Sequence, residues 1–538
     1  MTETRVEYVT KRLSALKEKR RPYEKYWDRA AELCAVNSKI YVKDNDKRII
    51  QRNFDGTAVN ALTMFVASLK SILIPTNMQW ARLKPSNPRV EASDDIKRYL
   101  EYVNNLLFKM RYAPKSNFTS ESTTQLRQMG IYGQAAWLVE DAAGSGIKYR
   151  SVPMNEVYCD VNKDNVIDVV YRTYELNARQ AVQEFGTKAT PQMIERADKT
   201  PDRKFKFLHA IEPRLDRNPK AKDYTGMRFA SYHICLDDNN LIYESGYRVN
   251  PYMVPRYEVM PGAVYGNSPA LKALQDILTI NEIGKTTLRS AQLSANPTIF
   301  TSSDIRDASR IGQPGAIVKG ALDANGRPLA APMQYGSNLQ ITLEMQQAIR
   351  EIIEKAFLVP LFQSLTDVKN ATAYEVQERM QEKALILAPT SELISAEWLV
   401  PNIEREIDIL ASYGYLDDVP DALFYDGAID IEFESPAVHM QQAASINGLM
   451  EWLSNVIGMA QVNPAVLDIV NFEEAARAIA DYKGVASQVI RTPEEVKALG
   501  EQRASQEQAA ALLAAAQPVS QAVKNMSEAG AVNANGIN

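Results

Sequence analysis

The sequence predicts an α+β protein that is mainly helical. Three observations carry that reading. Apolar residues recur at helical spacing before residue 132 and again beyond residue 269. Between them, short runs rich in Val and Tyr, separated by turn residues, read as antiparallel strands. From Ser268 to Gly414 the order is helix, Gly/Pro-punctuated insert, helix, short polar loop, then a long helix carrying two prolines. That order outlines a rod with a small knob at one end, a shape that enzymes rarely need.

The elements follow in chain order. Val6 to Cys34 reads as a helix with Val9, Leu13, Leu16 and Arg20 on one face. Ala58 to Ile74 is a second helix, with Leu62, Phe65, Leu69 and Ile72 in a stripe and Pro75 as its stop. Ser93 to Arg111 is a third, with Ser93 as N-cap and Asp94 and Asp95 at the positive end of the dipole. Asn117 to Tyr132 is a fourth. Strands are expected at Gln134–Glu140, Ile147–Pro153, Glu156–Asp160 and Val166–Leu176. After a short helix over Asn177–Phe185, further strands fall at Phe205–Pro213, Met227–Leu236 and Leu241–Gly246. Asp237 to Asn240 supply the hairpin turn, since Asp and Asn tolerate the left-handed region.

Pro269 to Ala295 returns to helical period, with Leu271, Leu274, Ile277, Leu278, Leu288 and Ala291 marking one face. Such a helix is roughly 40 Å long. Thr298 to Leu339 carries enough Gly and Pro to be a small strand-and-turn insert. Leu343 to Val359 is helical, with Met345, Ile349, Ile352, Ile353 and Ala356 in register. Pro360 and the polar run Gln363 to Asn370 interrupt it. Ala371 to Ser412 reads as one long helix that Pro389 and Pro401 kink rather than end, because the helical pattern resumes after each. One or two strands are expected within Asp421–Glu434, including Ile429 to Phe433, with helix over His439–Ala510 and an Ala/Gln-rich tail from 511 to 538 that is either helical or disordered.

The 538 residues exceed what one core supports and imply roughly two to four domains. A net charge of −5 argues against tight, sequence-independent gripping of duplex DNA, which needs a basic surface. Cys34, Cys159 and Cys235 lie far apart, which fits buried free thiols in a reducing compartment. The charged N-terminus is not a signal peptide, and no apolar run reaches the roughly 18 residues of a membrane span. A soluble chain made inside a cell is expected. Lys19-Arg20-Arg21 followed by Tyr23, Tyr26 and Trp27 is either a solvated helix end or a nucleic-acid contact.

Motifs that imitate chemistry fail on spacing. Gly284-Lys285-Thr286-Thr287 looks like a phosphate loop, but Thr279 stands where the first glycine belongs and the stretch lies inside a helical pattern. Asp160 to Asp164 imitates a calcium loop, but Asn165 replaces the turn glycine and Tyr171 the bidentate glutamate. The histidines, His209, His233 and His439, form no metal or triad spacing. No catalytic signature, cofactor site or metal site emerges.

Phe54-Asp55-Gly56-Thr57-Ala58, Ala61 to Pro75, and Gln79 to Leu83 together resemble the N-terminal part of the portal (head-to-tail connecting) proteins of short-tailed, podovirus-type phages. Asn250 to Tyr257, followed by Tyr265-Gly266-Asn267-Ser268-Pro269-Ala270, is similar to that family's entry into its stem helix. Asn370 to Val376 resembles its start of the long helix after the tunnel loop. The order and spacing of these fragments cover most of the chain, and the last hundred residues carry little resemblance.

The resemblance implies the phage portal fold: a dodecameric ring at one capsid vertex that conducts DNA in packaging, retention and ejection, with no enzymatic activity. It implies a wing at residues 1–267, a first stem helix at 268–297, a clip at 298–340 and a second stem helix at 341–360. A tunnel loop at 361–370, a kinked helix returning to the wing at 371–438 and a helical crown at 439–510 follow. Implied partners are double-stranded DNA, the terminase large subunit, the major capsid protein, scaffolding protein, tail adaptor or nozzle proteins and internal ejection proteins. The expected location is the unique vertex of the virion, after synthesis in the host cytoplasm.

Twelve copies would carry a charge of about −60, so an acidic bore would keep DNA mobile while sparse positive rings touch it. Lys369, with Asp367 and Asn370, is the first candidate for such a ring, and Lys285, Arg289 and Lys355 on the stem are others. Each stem cation reads equally as half of an intersubunit salt bridge. Arg306, Arg310, Lys319 and Arg327 in the clip are candidates for terminase or adaptor contact, or for clip-to-clip pairing. The loop Asp367–Asn370 and the segment before Pro389 are expected to move between packaging and retention. Competing readings are a phosphate-loop motor subunit and a helical scaffold or adaptor with no pore.

Overall fold

The chain is seen in a computed structural model that describes residues 4–35, 53–76, 78–85, 94–142, 146–295, 299–301, 317–319, 322–332, 339–363, 387–416, 419, 429–433, 436–460, 463–482, 491, 495–503, 505–506 and 508. Two compact units form. Met1–Ala81, Leu106–Asp417 and Phe433–Ala437 make the first; Arg82–Asn105, Asp418–Glu432 and Val438–Asn538 make the second.

The first unit is built around a five-stranded antiparallel sheet. Helix α1 (Arg5–Cys34) begins at a capping box, in which Thr4 Oγ1 accepts from the Glu7 amide and the Glu7 carboxylate accepts from the Thr4 amide. Its face of Val9, Leu13 and Leu16 packs on Tyr158, Val169, Tyr171, Leu208, Ala210, Ala230, Tyr232 and Ile234. These residues come from alternate positions of β4 (Val157–Val161), β5 (Ile167–Asn177), β6 (Lys204–Pro213) and β7 (Phe229–Cys235), with β8 (Asn240–Tyr247) completing the order β4-β5-β6-β7-β8. The opposite face holds Phe205, Phe207 and Cys235 against Ala178, Ala181 and Phe185 of α5 (Ala178–Phe185) and Met193 of α6 (Pro191–Lys199). The α6 helix is an addition to the sequence reading: Thr190 caps it through its side chain and Pro191 stands in its first turn.

A second, three-stranded sheet runs β3-β2-β9, from Ala136–Asp141 (β2), Ile147–Val152 (β3) and Tyr252–Met253 (β9). It is covered by α4 (Phe118–Tyr132), whose Gln125 and Gln128 are buried and hydrogen-bonded to the Ala135 carbonyl and to Ser151. Helix α2 (Thr57–Leu73) crosses α4 at Gly130, where an added Cβ would lie 2.6 Å from Leu62 Cδ1.

The segments on either side of the insert are two helices in contact, each broken once. Ser268 caps a short turn, α7 (Pro269–Lys272), and Ala273 separates it from α8 (Leu274–Ala295). Helix α9 (Leu339–Ala356) gives way to α10 (Val359–Gln363) at Leu358, which adopts φ 59°. The insert between them contains a strand pair, β10 (Ile299–Thr301) with β11 (Ala330–Pro332), and a turn closed by Gly326 at φ 77°. Of the predicted α9 face, Ile349 and Ile353 are buried, but Met345 and Ile352 are about half exposed. The stripe is therefore wider than the core it serves within one chain.

Residues 387–412 are helical, and the part from 371 to 386 lies outside the described residues. Neither Pro389 nor Pro401 ends the helix. The ladder is instead loosened over Ser395–Leu399, a π-helical stretch leading into α11 (Val400–Ser412). Pro401 has no N–H to give to Glu397, four residues back, so the irregularity falls where that bond is missing.

In the second unit, β1 (Ala81–Pro85) pairs with β12 (Ile429–Phe433), with Lys84 and Glu432 forming an ion pair. Ile96, Leu100 and Val103 of α3 (Asp94–Arg111) are buried. The proposed cap Ser93 lies outside the described residues. Helices α12 (Pro436–Ala460) and α13 (Phe472–Tyr482) are separated by a 3-10 turn at Pro464–Ile469.

Candidate functional site

The helical hairpin of α8 and α9 is the candidate site, and what distinguishes it is how firmly its base is held. The segment Tyr265 to Pro269 enters the hairpin through a close backbone crossing. Gly133 and Gly266 pass so near that a Cβ on either would sit 2.4 or 2.3 Å from the other's carbonyl oxygen, and Gly133 has φ 81°. The Gly266 amide donates to Gln134 Oε1 at 3.0 Å. Ser268 is fully buried; its hydroxyl accepts from the Leu271 amide at 2.9 Å and donates to the Ile131 carbonyl at 2.8 Å. One side chain thus caps the hairpin and ties it to α4.

The segment Phe54 to Ala58 performs the matching task on both helices. The Phe54 amide donates to Asn281 Oδ1 at 2.6 Å on α8, and Gly284 lets that helix approach the Phe54 backbone, with a Cβ placed 3.3 Å from its carbonyl oxygen. Asp55 accepts from the Thr57 amide at 2.9 Å and from the Arg350 guanidinium of α9 at 3.0 Å. Burial pushes the Asp55 carboxyl up, and the hydrogen bonds from Thr57 and Arg350 outweigh that, leaving it below its ordinary range. Gln346 donates across the hairpin to Thr287 at 3.1 Å.

Two further anchors hold the π stretch and the helix after it. Arg256 binds Glu397 through its guanidinium and its own amide at 2.9 Å. Arg111 pairs with Glu406, which is fully buried, at 2.6 Å; Tyr149 and Asn402 also donate to that carboxylate, at 2.7 and 2.6 Å. Trp137 donates to Asn402 at 2.9 Å, and Arg111 lies over the Trp80 ring. Every oxygen of the carboxylate has a donor, which is the condition for a buried ion pair to persist.

A family model of the bacteriophage head to tail connecting proteins matches residues 7–490. The chain belongs to that family. It is 26% identical over 518 residues to a "Probable portal protein" of Bordetella phage BPP-1, covering 94% of this chain and 93% of the other. It is 25% identical over 541 residues to the "Portal protein" of Salmonella phage epsilon15, covering 98% and 96%. The chain is thus a structural head-to-tail connecting component of a phage particle, and its partners belong to the phage head and tail.

Within this connector the sequence-chosen cations have different surroundings. Lys285 pairs with Glu282 at 3.3 Å on its own helix, and Gly284 to Thr287 lie inside α8, so no phosphate loop forms. Arg289 and Lys355 are exposed and have no ion-pair partner among the described residues. In the insert, Lys319 and Arg327 are exposed, and the Arg327 amide closes a turn on Asp323 at 2.7 Å. Arg306, Arg310, Asp367, Lys369 and Asn370 lie outside the described residues.

The basic-aromatic patch on α1 is divided: Lys19, Arg21 and Tyr26 are exposed, whereas Arg20 and Trp27 turn inward. Arg20 is buried and donates to the carbonyls of Met154, Asn155 and Val157, Lys19 pairs with Asp160, and Trp27 is fully buried. The calcium-loop imitation is a turn, in which Asn162 Oδ1 accepts from the Asp164 and Val166 amides and Asn165 adopts φ 60°. Residue-level reasoning missed the clamps Asp55–Arg350, Arg111–Glu406 and Arg256–Glu397. Partners separated by 295, 295 and 141 positions leave no local signal.

Proposed function

We propose that copies of this chain close into a ring at one capsid vertex and form the portal through which double-stranded DNA enters and leaves the head. Family membership across residues 7–490, together with relatives named as portal proteins, supports this reading. The single observation that carries it is the hairpin itself. It is clamped at its base, yet Leu288, Leu343, Met345 and Ile352 stand about half exposed along its sides. Aliphatic flanks on a rigid hairpin are what neighbouring copies in a ring would cover.

In this arrangement residues 1–267 form the wing, 268–297 and 341–360 the stem, 298–340 the clip, 361–370 the tunnel loop, 371–438 the returning helix and 439–510 the crown. Arg289 and Lys355 either face the bore or pair with a neighbour, and Lys319 and Arg327 offer exposed positive charge to the terminase and then to the tail adaptor. Lys369, with Asp367 and Asn370, makes the weak positive ring that meets the phosphate backbone.

Negative-stain microscopy of the purified chain tests the ring. Closed rings with a central hole are expected, and compact monomers or dimers would overturn the proposal in favour of a non-pore scaffold or adaptor. Lys369→Ala tests the loop. Rings should be retained while the length of DNA held per particle falls, and unchanged DNA content would remove the loop from the account.

A further inference from the structure

We infer that helix α12 (Pro436–Ala460) packs against a second copy of this chain on each of its two flanks, making a ring contact separate from the hairpin. The inference rests on the ring proposed above. Over its 25 residues the helix carries one carboxylate, Glu451, and no lysine or arginine. At about 100° per residue, positions 448–460 sort into four faces. Leu449, Leu453, Val456 and Ala460 form the covered stripe, with Val456 buried and the other three half-buried. Opposite them stand Glu451, Ser454, Asn455 and Gly458, all exposed.

The two faces between these are apolar and open. Met450 and Ile457 are 48% and 52% exposed on one; Trp452 and Met459 are 45% and 59% exposed on the other. Each pair is spaced seven residues apart, and the two pairs lie about 180° from one another. A helix that packs only on its own chain has one apolar stripe and polar flanks. Here the stripe is used internally and both flanks remain.

A two-fold dimer would use one patch twice and leave the other flank bare. A closed ring uses heterologous contacts, in which one flank of each copy meets the opposite flank of the next, so both are covered in every copy. The polar outer face fits the same placement, since it remains in water. It argues against lipid as the occupant, which would surround that face as well.

Disulfide trapping tests the contact. Cys34, Cys159 and Cys235 are free and buried, so they do not compete. Double variants that combine Met450→Cys or Ile457→Cys with Trp452→Cys or Met459→Cys are assembled, counted as rings by negative stain, and then oxidised. The expected result is loss of the monomer band into a ladder of covalent oligomers from at least one double variant, with no crosslink from any single variant. A control pair on the polar face, Glu451→Cys with Gly458→Cys, keeps the ring and gives no ladder. Dimers from a single variant would mean a two-fold contact and overturn the inference. Intact rings with no ladder from any double variant would also overturn it, whether the flanks then prove to hold another virion protein or lipid, read by co-purification and by flotation with vesicles. Double variants that lose the ring while keeping their helical circular dichroism support the contact. Failure of the unmodified chain to form rings is a different result, which removes the ring proposal itself.

Discussion

Asp28, on the half-buried side of α1, shows how one carboxyl can tune the body. Burial, then the nearby carboxylates Glu24 and Glu32, push it up to about 6, and its Oδ1 has no hydrogen-bond partner among the described residues. The folded chain therefore holds this proton more tightly than the unfolded chain, whose carboxyl titrates near 4. Its effect is absent below about pH 4 and becomes destabilising as pH rises toward 6. The melting-temperature gain of Asp28→Asn over the wild type should be small at pH 4 and larger at pH 7; a gain independent of pH would contradict the assignment. Glu406 is the opposite case, a buried carboxylate with all its partners. Burial opposes the charge on Arg111, and the Glu406 carboxylate outweighs it and keeps the guanidinium protonated. Glu406→Leu leaves that charge buried and unpaired and should cost about 3–5 kcal/mol in denaturant unfolding. The double variant with Arg111→Met should recover most of the loss, and equal losses in single and double variants would contradict the coupling.

Among the elements, the five-stranded sheet carries a row that crosses the strands: Arg172 opposite His209, His209 opposite His233, and His233 opposite Tyr243. The two imidazoles stack at 4.0 Å between ring centres, and His233 stacks on Tyr243 at 4.3 Å. His209 bonds Tyr252 and Ser231, both at 3.0 Å. Burial pushes both histidines down, His233 to about 3, with Lys188 adding to the effect there and His233 and Arg172 adding to it at His209. Their neutral forms are favoured by folding, so the sheet is fully stabilised above the ordinary histidine range, near 6.5, and loses stability as pH falls below it. Each histidine can contribute up to about 1.4 kcal/mol per pH unit over that window. His233→Phe should flatten the acid limb of the stability curve between pH 6.5 and 4, and an unchanged limb would refute the row's role. For the hairpin, Arg350→Ala should release about 1.5–3 kcal/mol of its attachment. Amide exchange in α9 should quicken while the sheet stays protected; uniform quickening would argue against a local clamp.

At the same scale, legibility divides by distance along the chain. The α1 face of Val9, Leu13, Leu16 and Arg20, and the strands from 204 to 247, follow from period and turn chemistry, both local properties. The fragments around Phe54 and Tyr265 marked the hairpin's base as family sequence, but not why those residues are needed. Gly133 facing Gly266 and Asp55 facing Arg350 are meetings of distant segments, and only the folded chain brings them together. The π stretch was half legible: Pro401 signalled an irregular helix and its missing bond to Glu397 marks the place, but the contacts made there, Trp398 on Trp137 and Glu397 on Arg256, join distant segments.

For the whole molecule, the account joins a connector-family chain, a clamped hairpin and apolar flanks that one copy leaves uncovered. If the loop Asp367–Asn370 and the helix before Pro389 serve retention, their geometry should differ between the procapsid and the DNA-filled particle, and identical geometry in both would remove motion from the mechanism. Ring closure also fixes what the acidic charge means: −5 per chain becomes a field around a bore only if copies surround one axis. The most direct measurement is an asymmetric cryo-EM reconstruction of the virion made with this chain. The account predicts a closed ring of copies at a single vertex, with DNA density on its axis and α8 and α9 lining the passage. Copies spread over all vertices, or a solid assembly with no axial opening, would contradict it.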